Sequence, residues 1–191
     1  TSELSGLVDQ SYASGGTGSG FVLSPALGST IRLTGTLNSS TSPTLNFNHI
    51  GAGDVFESFT SISSQYQITL GASAGKWTMA TDVGNTIGLG TKANFTVNGG
   101  TFDLAGNDFG TTLDGKTNSL GGGTLVNSAS TVSKIWSNTF NVVGNSTIST
   151  PNVGGDIDLS NASQINGDTT LRTLTKTGSG DLHLVNSYTT A

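Results

Sequence analysis

Among 191 residues the side chains able to do chemistry are few: 12 acidic, 7 basic and 2 histidines, with no cysteine. The tightest carboxylate pair is Asp156 and Asp158, two positions apart and so on one face of a strand. Carboxylates so placed can ligate Ca²⁺ or share acid/base work, and a β-helix enzyme that cleaves acidic polysaccharide would add Arg, Lys or His on the same face. Alternation alone points both aspartates outward, and two solvated aspartates are the simpler reading. Asp103 and Asp108, beside Asn107, also offer oxygen ligands. Their spacing matches neither an EF-hand loop nor the Gly-Gly-x-Gly-x-Asp calcium repeat, so a turn-forming role is expected. A Ser-His-carboxylate triad is available by numbers only. His49 and His183 both read as surface strand positions.

The remaining chemical motifs reduce to structure. The glycine runs Gly15-Gly16-Thr17-Gly18-Ser19-Gly20 and Gly121-Gly122-Gly123 lack the helix that a phosphate cradle needs, and read as linker and corner. Thr173, Thr175 and Thr177 line one strand face, but an ice-ordering surface needs such a row on coil after coil. Trp77 and Trp136, with Tyr12, Tyr66 and Tyr188, are too scattered for a sugar-stacking platform and read as packing. Lys176 reads as a solvated strand-edge lysine that discourages mispairing. No catalytic residue, metal ligand or cofactor is therefore assigned.

Composition sets the elements that must carry these residues. Gly (28), Thr (30), Ser (26) and Asn (16) fill more than half the chain, while charged residues are 10%. Leu, Ile, Val and Phe still number 46 and the net charge is only −5, which separates the chain from disordered sequences. With 2 Glu, 5 Lys and 2 Arg, helix formers are scarce, so repeated backbone pairing in an all-β fold is expected. A sequence pI near 4.6 and dispersed basic residues argue against nucleic acid as a partner. No apolar run reaches the length of a membrane span. The absence of cysteine suits passage through an envelope, and Thr1 in place of an initiator Met fits an exported chain with its signal removed.

Short alternating segments recur throughout, among them Thr30-Ile31-Arg32-Leu33-Thr34, Thr44-Leu45-Asn46-Phe47, Gln67-Ile68-Thr69-Leu70 and Asn94-Phe95-Thr96-Val97. The grammar glycine pair, strand, Asn appears at 99–107, 122–127 and 154–161, and the steps from Phe102 to Leu125 and from Ile157 to Leu182 are nearly equal. Such spacing predicts a right-handed parallel β-helix (β-solenoid) of irregular coils, roughly 20–25 residues each and about eight in all. An antiparallel β-sandwich is the alternative. Residues 1–20 read as an N-terminal arm and Gly/Ser-rich linker, and 21–191 as a single solenoid domain. Mixed spacing in 55–62 allows one helical turn. The expected inward residues are Phe95, Phe102, Leu104, Leu125, Phe140, Val142, Ile157, Leu159, Leu182 and Leu184.

The run Leu174-Thr175-Lys176-Thr177-Gly178-Ser179-Gly180-Asp181-Leu182-His183-Leu184 resembles the passenger repeat of bacterial autotransporters and related surface proteins. Gly99-Gly100-Thr101-Phe102-Asp103-Leu104-Ala105-Gly106-Asn107 is similar to a second element of the same passengers. The resemblance covers mostly residues 94–187 and implies a β-helix displayed at the cell surface as adhesin, stalk or spacer. Nothing in the chain resembles the outer-membrane barrel of a full autotransporter. The expectation is an exported, non-enzymatic, extracellular structural or adhesive solenoid that self-assembles head to tail into a surface fibre. Its arm, through Leu4, Leu7 and Val8, would join a neighbouring copy. The alternatives are a monomeric adhesin that binds surface glycans and, behind it, a polysaccharide-cleaving enzyme.

Overall fold

The computed structural model describes residues 2–4, 7–9, 20–38, 45–62, 66–80, 93–110, 117–159, 162–184 and 188–189. Within them lie β1 (Ser2–Leu4), β2 (Leu7–Asp9), β3 (Gly20–Leu23), β4 (Thr30–Asn38), β5 (Leu45–His49), β6 (Asp54–Ile62) and β7 (Tyr66–Leu70). There follow β8 (Lys76–Met79), β9 (Ala93–Val97), β10 (Thr101–Asp103), β11 (Thr117–Leu120), β12 (Thr124–Val126), β13 (Ser133–Lys134) and β14 (Ser137–Val142). The last are β15 (Ser146–Ser149), β16 (Ile157–Asp158), β17 (Ala162–Gly167), β18 (Leu174–Thr177), β19 (Leu182–His183) and β20 (Tyr188–Thr189). No helix occurs among the described residues, and none is long and apolar enough to cross a membrane. Residues 55–62, whose spacing allows a helical turn, belong instead to β6, because pairing with β4 and β8 on both sides overrides that local signal.

The chain winds as a parallel β-solenoid. A first sheet runs β1–β4–β6–β8–β10–β12–β15–β18, with β2 also on β4; a second runs β3–β5–β7–β9–β11–β14–β17–β20. In the C-terminal half a third face appears, β13–β16–β19, extended by a bridge between Phe109 and Ile135. Every pairing among the described residues is parallel, and coil length follows from the register. Beyond the arm, the shortest step is that from Phe47 to Ile68, while the longest, Ile148 to Lys176, exceeds the expected coil. Phe102 stacks on Leu125 and Ile157 on Leu182, the two pairs that the glycine grammar singles out.

Hydrogen bonds between coils continue through the corners between strands. Gly75 N–H donates to Gly51 O at 2.9 Å, Thr101 N–H to Gly75 O at 3.1 Å and Thr124 N–H to Gly100 O at 2.9 Å. Glycine is needed here for space as well as backbone angle. At Gly100, with φ of 64°, a Cβ would lie 2.3 Å from Ala74 O on the coil before.

Inside, side chains stack in columns. Ile31, Val55, Trp77, Phe102, Leu125 and Ile148 form one on the first sheet; Phe21, Phe47, Ile68 and Phe95 begin another on the second. Where three faces meet, Phe95, Phe102 and Phe109 of one coil converge with ring centroids 5.0–5.6 Å apart. Each such ring contributes about 2–3 kcal/mol of burial, so a narrow core suffices when the coil repeats. Of the expected inward residues, Phe95, Phe102, Leu104, Leu125, Phe140, Val142, Ile157 and Leu159 are buried, but Leu182 is half-buried and Leu184 is 40% exposed. Both lie on the last coil of the third face, where no further described coil covers them.

The core also holds polar groups. His49 is buried, which corrects its reading as a surface position: it lies two residues from buried Phe47 and shares its face, in a column with Leu23 and Leu70. Its Nε2 donates to Gly53 O at 2.9 Å, while Nδ1 has no hydrogen-bond partner among the described residues. Glu57 is fully buried between Leu33 and Met79; its Oε2 accepts from Trp77 Nε1 at 3.3 Å and its Oε1 has no such partner. Burial pushes the Glu57 carboxyl up to about 8, opposed by the Trp77 hydrogen bond, and burial lowers the His49 imidazole. The two act oppositely on stability. A raised carboxyl gives stability that is complete below its unfolded value and falls as pH climbs toward 8; a lowered imidazole gives stability that is lost as pH falls below its ordinary range.

Between pH 6.5 and 8, therefore, Glu57 dominates. The chain is expected to lose melting temperature across that window, and Glu57→Gln, which keeps an acceptor for Trp77, to flatten the loss. Spread from the ordinary carboxyl range up to about 8, such a shift is on the order of 4–5 kcal/mol in all, of which about 2 kcal/mol falls between pH 6.5 and 8. Thermal melts at pH 6.5, 7.5 and 8.5 check this, and parallel curves for the two proteins would contradict it.

Candidate functional site: the ends and faces of the solenoid

The arm residues fall on the N-terminal edge of the first sheet. Leu4 ends β1 and pairs with Leu33; Leu7 and Val8 lie in β2 and pair with Thr36 and Leu37. Both strands thus add in parallel to β4 of their own chain. Residues 10–19, which hold Tyr12 and all of the 13–20 linker except Gly20, lie outside the described residues. On the second sheet, β3 forms the N-terminal edge with no further strand described beyond it, and Val22 there is 63% exposed. Unpaired N–H and C=O groups on such an edge are a template for another strand.

At the C-terminal end the edges are β18, β19 and β20. Here the core opens into a cavity of about 510 Å³ lined by Val142, Ile165, Leu174 and Leu184, with the paired Asp168 and Arg172 on its rim. Arg172 holds the Asp168 carboxyl below its usual range, and Asp168 raises the guanidinium in return. Lys176 is an edge residue, as its motif suggests, but register adds a second role. It stands next to Ile148 at the end of the inward column, with its ammonium on the carbonyls of Gly178 and Gly180. A charge at an inward position blunts an edge, because a coil laid flush on it would have to desolvate the ammonium.

The other candidates take structural places. Asp103 is buried at a corner, where Oδ1 accepts from Ala105 N–H at 3.0 Å and Ser128 N–H at 3.1 Å and Oδ2 lies 3.6 Å from Lys76 Nζ. Asp108 accepts from Lys134 N–H at 2.7 Å. Asp156 and Asp158 flank Ile157 on the third face, and His183 is the register partner of Asp158. Trp77 is core, and Trp136 is half-buried. Tyr66 opens β7 and Tyr188 opens β20, on different coils.

Other features emerge from the register and from motif spacings seen in their structural setting. Thr175 is not an isolated row: Thr101, Thr124, Thr147 and Thr175 stack on consecutive rungs of the first sheet, each preceding an inward residue. The recurring Gly-Gly-Thr of 99–101 and 122–124 is the signal in the sequence that could have found it. Their companions one pleat along are Asp103, Val126, Ser149 and Thr177, so the face is mixed. On the second sheet the half-buried outward residues Asn46, Asn48, Gln67, Thr69, Asn94, Thr96, Ser119, Thr139, Asn141 and Asn166 form two uncharged ladders. Two motif matches are resolved by their structural setting. Gly71-Ala72-Ser73-Ala74-Gly75 has the spacing of a nucleophile elbow, yet it joins two strands at a corner, and the imidazole of nearby His49 is turned into the core. Residues 110–117, Gly110 to Gly115-Lys116-Thr117, fit a phosphate-loop pattern. Residues 111–116 lie outside the described residues, and Thr117 begins strand β11 where that pattern requires a helix.

The end geometry generates a test. Replacing Lys176 by Ile continues the column that ends at Ile148, and burying one such side chain is worth about 2 kcal/mol. Lys176→Ile is expected to tighten self-association by about tenfold or more, read by sedimentation velocity; unchanged association would show that Lys176 does not guard the end. No family model matches the chain, and no curated protein or solved structure matches it either.

Proposed function

We propose that the chain is an exported, non-enzymatic structural protein of the bacterial cell surface, an autotransporter-type solenoid that joins copies of itself into a fibre. The observation that carries this reading is the arm: β1 and β2 add to β4 by the same parallel ladder that builds every coil, so the same strands offered to β4 of a neighbour would join two subunits. Lys176 at the other end favours this exchange over flush stacking, because exchange leaves the ammonium in water. The glycine- and serine-rich linker at 13–20 has the composition of a flexible tether. Leu4, Leu7 and Val8 carry the apolar content of the donated segment.

A second reading, adhesion, is favoured by the second sheet. Its amide and hydroxyl ladders both donate and accept hydrogen bonds and bear no charge, which suits the hydroxyls of a neutral surface glycan.

Deleting residues 1–20 separates the two. The full chain is expected to form uniform filaments at rising concentration, seen by negative-stain electron microscopy and sedimentation, and the shortened chain to stay monomeric. Filaments from the shortened chain would refute the arm, and a monomeric full chain that binds neutral glycan saturably would favour adhesion.

A further inference from the structure

On the third face, we infer that Asp156, Asp181 and His183 form a Zn²⁺-binding site that links two adjacent coils. The three offer ligand atoms that all lie within 4.8 Å of one another. Asp156 immediately precedes β16 and Asp181 immediately precedes β19, so the parallel pairing of these strands fixes both carboxylates at one corner. His183 projects from β19 beside them.

The separation of His183 and Asp156 fits a shared cation better than a direct pair. His183 Nε2 stands 3.5 Å from Asp156 Oδ2, at the outer limit of a hydrogen bond. With metal–ligand bonds of about 2.0–2.2 Å, neighbouring ligands on a tetrahedral ion are separated by roughly 3.3–3.5 Å. Asp156 is also held in place: its other oxygen, Oδ1, accepts from Asp181 N–H at 2.7 Å, the kind of outer hydrogen bond that orients a ligating carboxylate. Asp158, the register partner of His183, adds a further negative charge on the adjoining rung.

The donor set chooses the ion. One imidazole nitrogen and two carboxylate oxygens suit Zn²⁺, whereas Ca²⁺ and Mg²⁺ prefer all-oxygen shells. The fourth position is open to water. Because Asp156 belongs to one coil and Asp181 and His183 to the next, a bound ion would fasten β19 to β16 at the end of the third sheet, where β16 is its one strand neighbour among the described residues.

Isothermal titration of the tag-free full chain with ZnCl₂, with CaCl₂ in parallel, tests the site. One Zn²⁺ per chain is expected, weakened at least tenfold by His183→Gln and by Asp181→Asn, with Ca²⁺ binding at least tenfold weaker. Circular dichroism verifies that each variant keeps the β-fold, and His183, 52% exposed, has little packing to lose. No stoichiometric Zn²⁺ binding would overturn the inference. So would binding that both variants retain, since the only other histidine in the sequence, His49, is buried. Equal affinity for Ca²⁺ would overturn the assignment of the ion.

Discussion

The parallel, in-register hydrogen-bond ladder between coils is the interaction on which everything else rests. A single coil has too little apolar mass to fold by itself. Each rung satisfies the backbone groups of the coils on either side and places one inward residue on the next, so ladder and core grow together. The sequence needs few large side chains because it uses each twice, once against its own coil and once against the neighbour. Phe95, for example, meets Phe102 and Phe109 of its own coil and Phe140 of a later one.

That economy has limits, and they appear as polar groups in the interior. Asn118 interrupts an aromatic column between Phe95 and Phe140; its Oδ1 accepts from Phe95 N–H at 2.9 Å, replacing a ladder bond with a side-chain one. Glu57 and His49 lean on Trp77 from two sides, Glu57 through a hydrogen bond and His49 with ring centroids 6.3 Å apart. A regular hydrophobic column would bury the same space without orphaned atoms. Among the described residues, the buried groups whose ionisation burial disfavours, Glu57 and His49, both lie in the N-terminal half.

Much of the architecture is legible because the signals are local. Alternation in Asn94-Phe95-Thr96-Val97 assigns a strand and its inward face, and the glycine pairs mark corners whose spacing is the coil length. Phe102 on Leu125 and Ile157 on Leu182 follow from that spacing. What alternation cannot supply is register between distant segments, since a column exists only after coils are aligned. The threonine row from Thr101 to Thr175, the uncharged ladders of the second sheet and the inward position of Lys176 all belong to this class. The burial of His49 is recoverable from its parity with Phe47, and reading it as polar hides that parity. The Asp156, Asp181 and His183 cluster needs segments one full coil apart in sequence to be laid side by side.

Function enters where the ladder stops. The N-terminal edge of the first sheet is covered by the arm of the same chain, and the far edge carries an inward lysine, so the two ends are unlike. Among the described residues, the arm is the element that matches the open geometry of β4. An arm that pairs in its own chain can pair identically in another, provided that the linker allows exchange. Because the chain has no native cysteine, a disulfide between Glu3→Cys and Arg32→Cys, register partners on β1 and β4, reports which copy the arm occupies. Oxidised under assembling conditions and run on a denaturing gel without reductant, the double variant should give a ladder of covalent multimers. A product that remains monomeric while filaments form would contradict arm exchange as the junction between subunits.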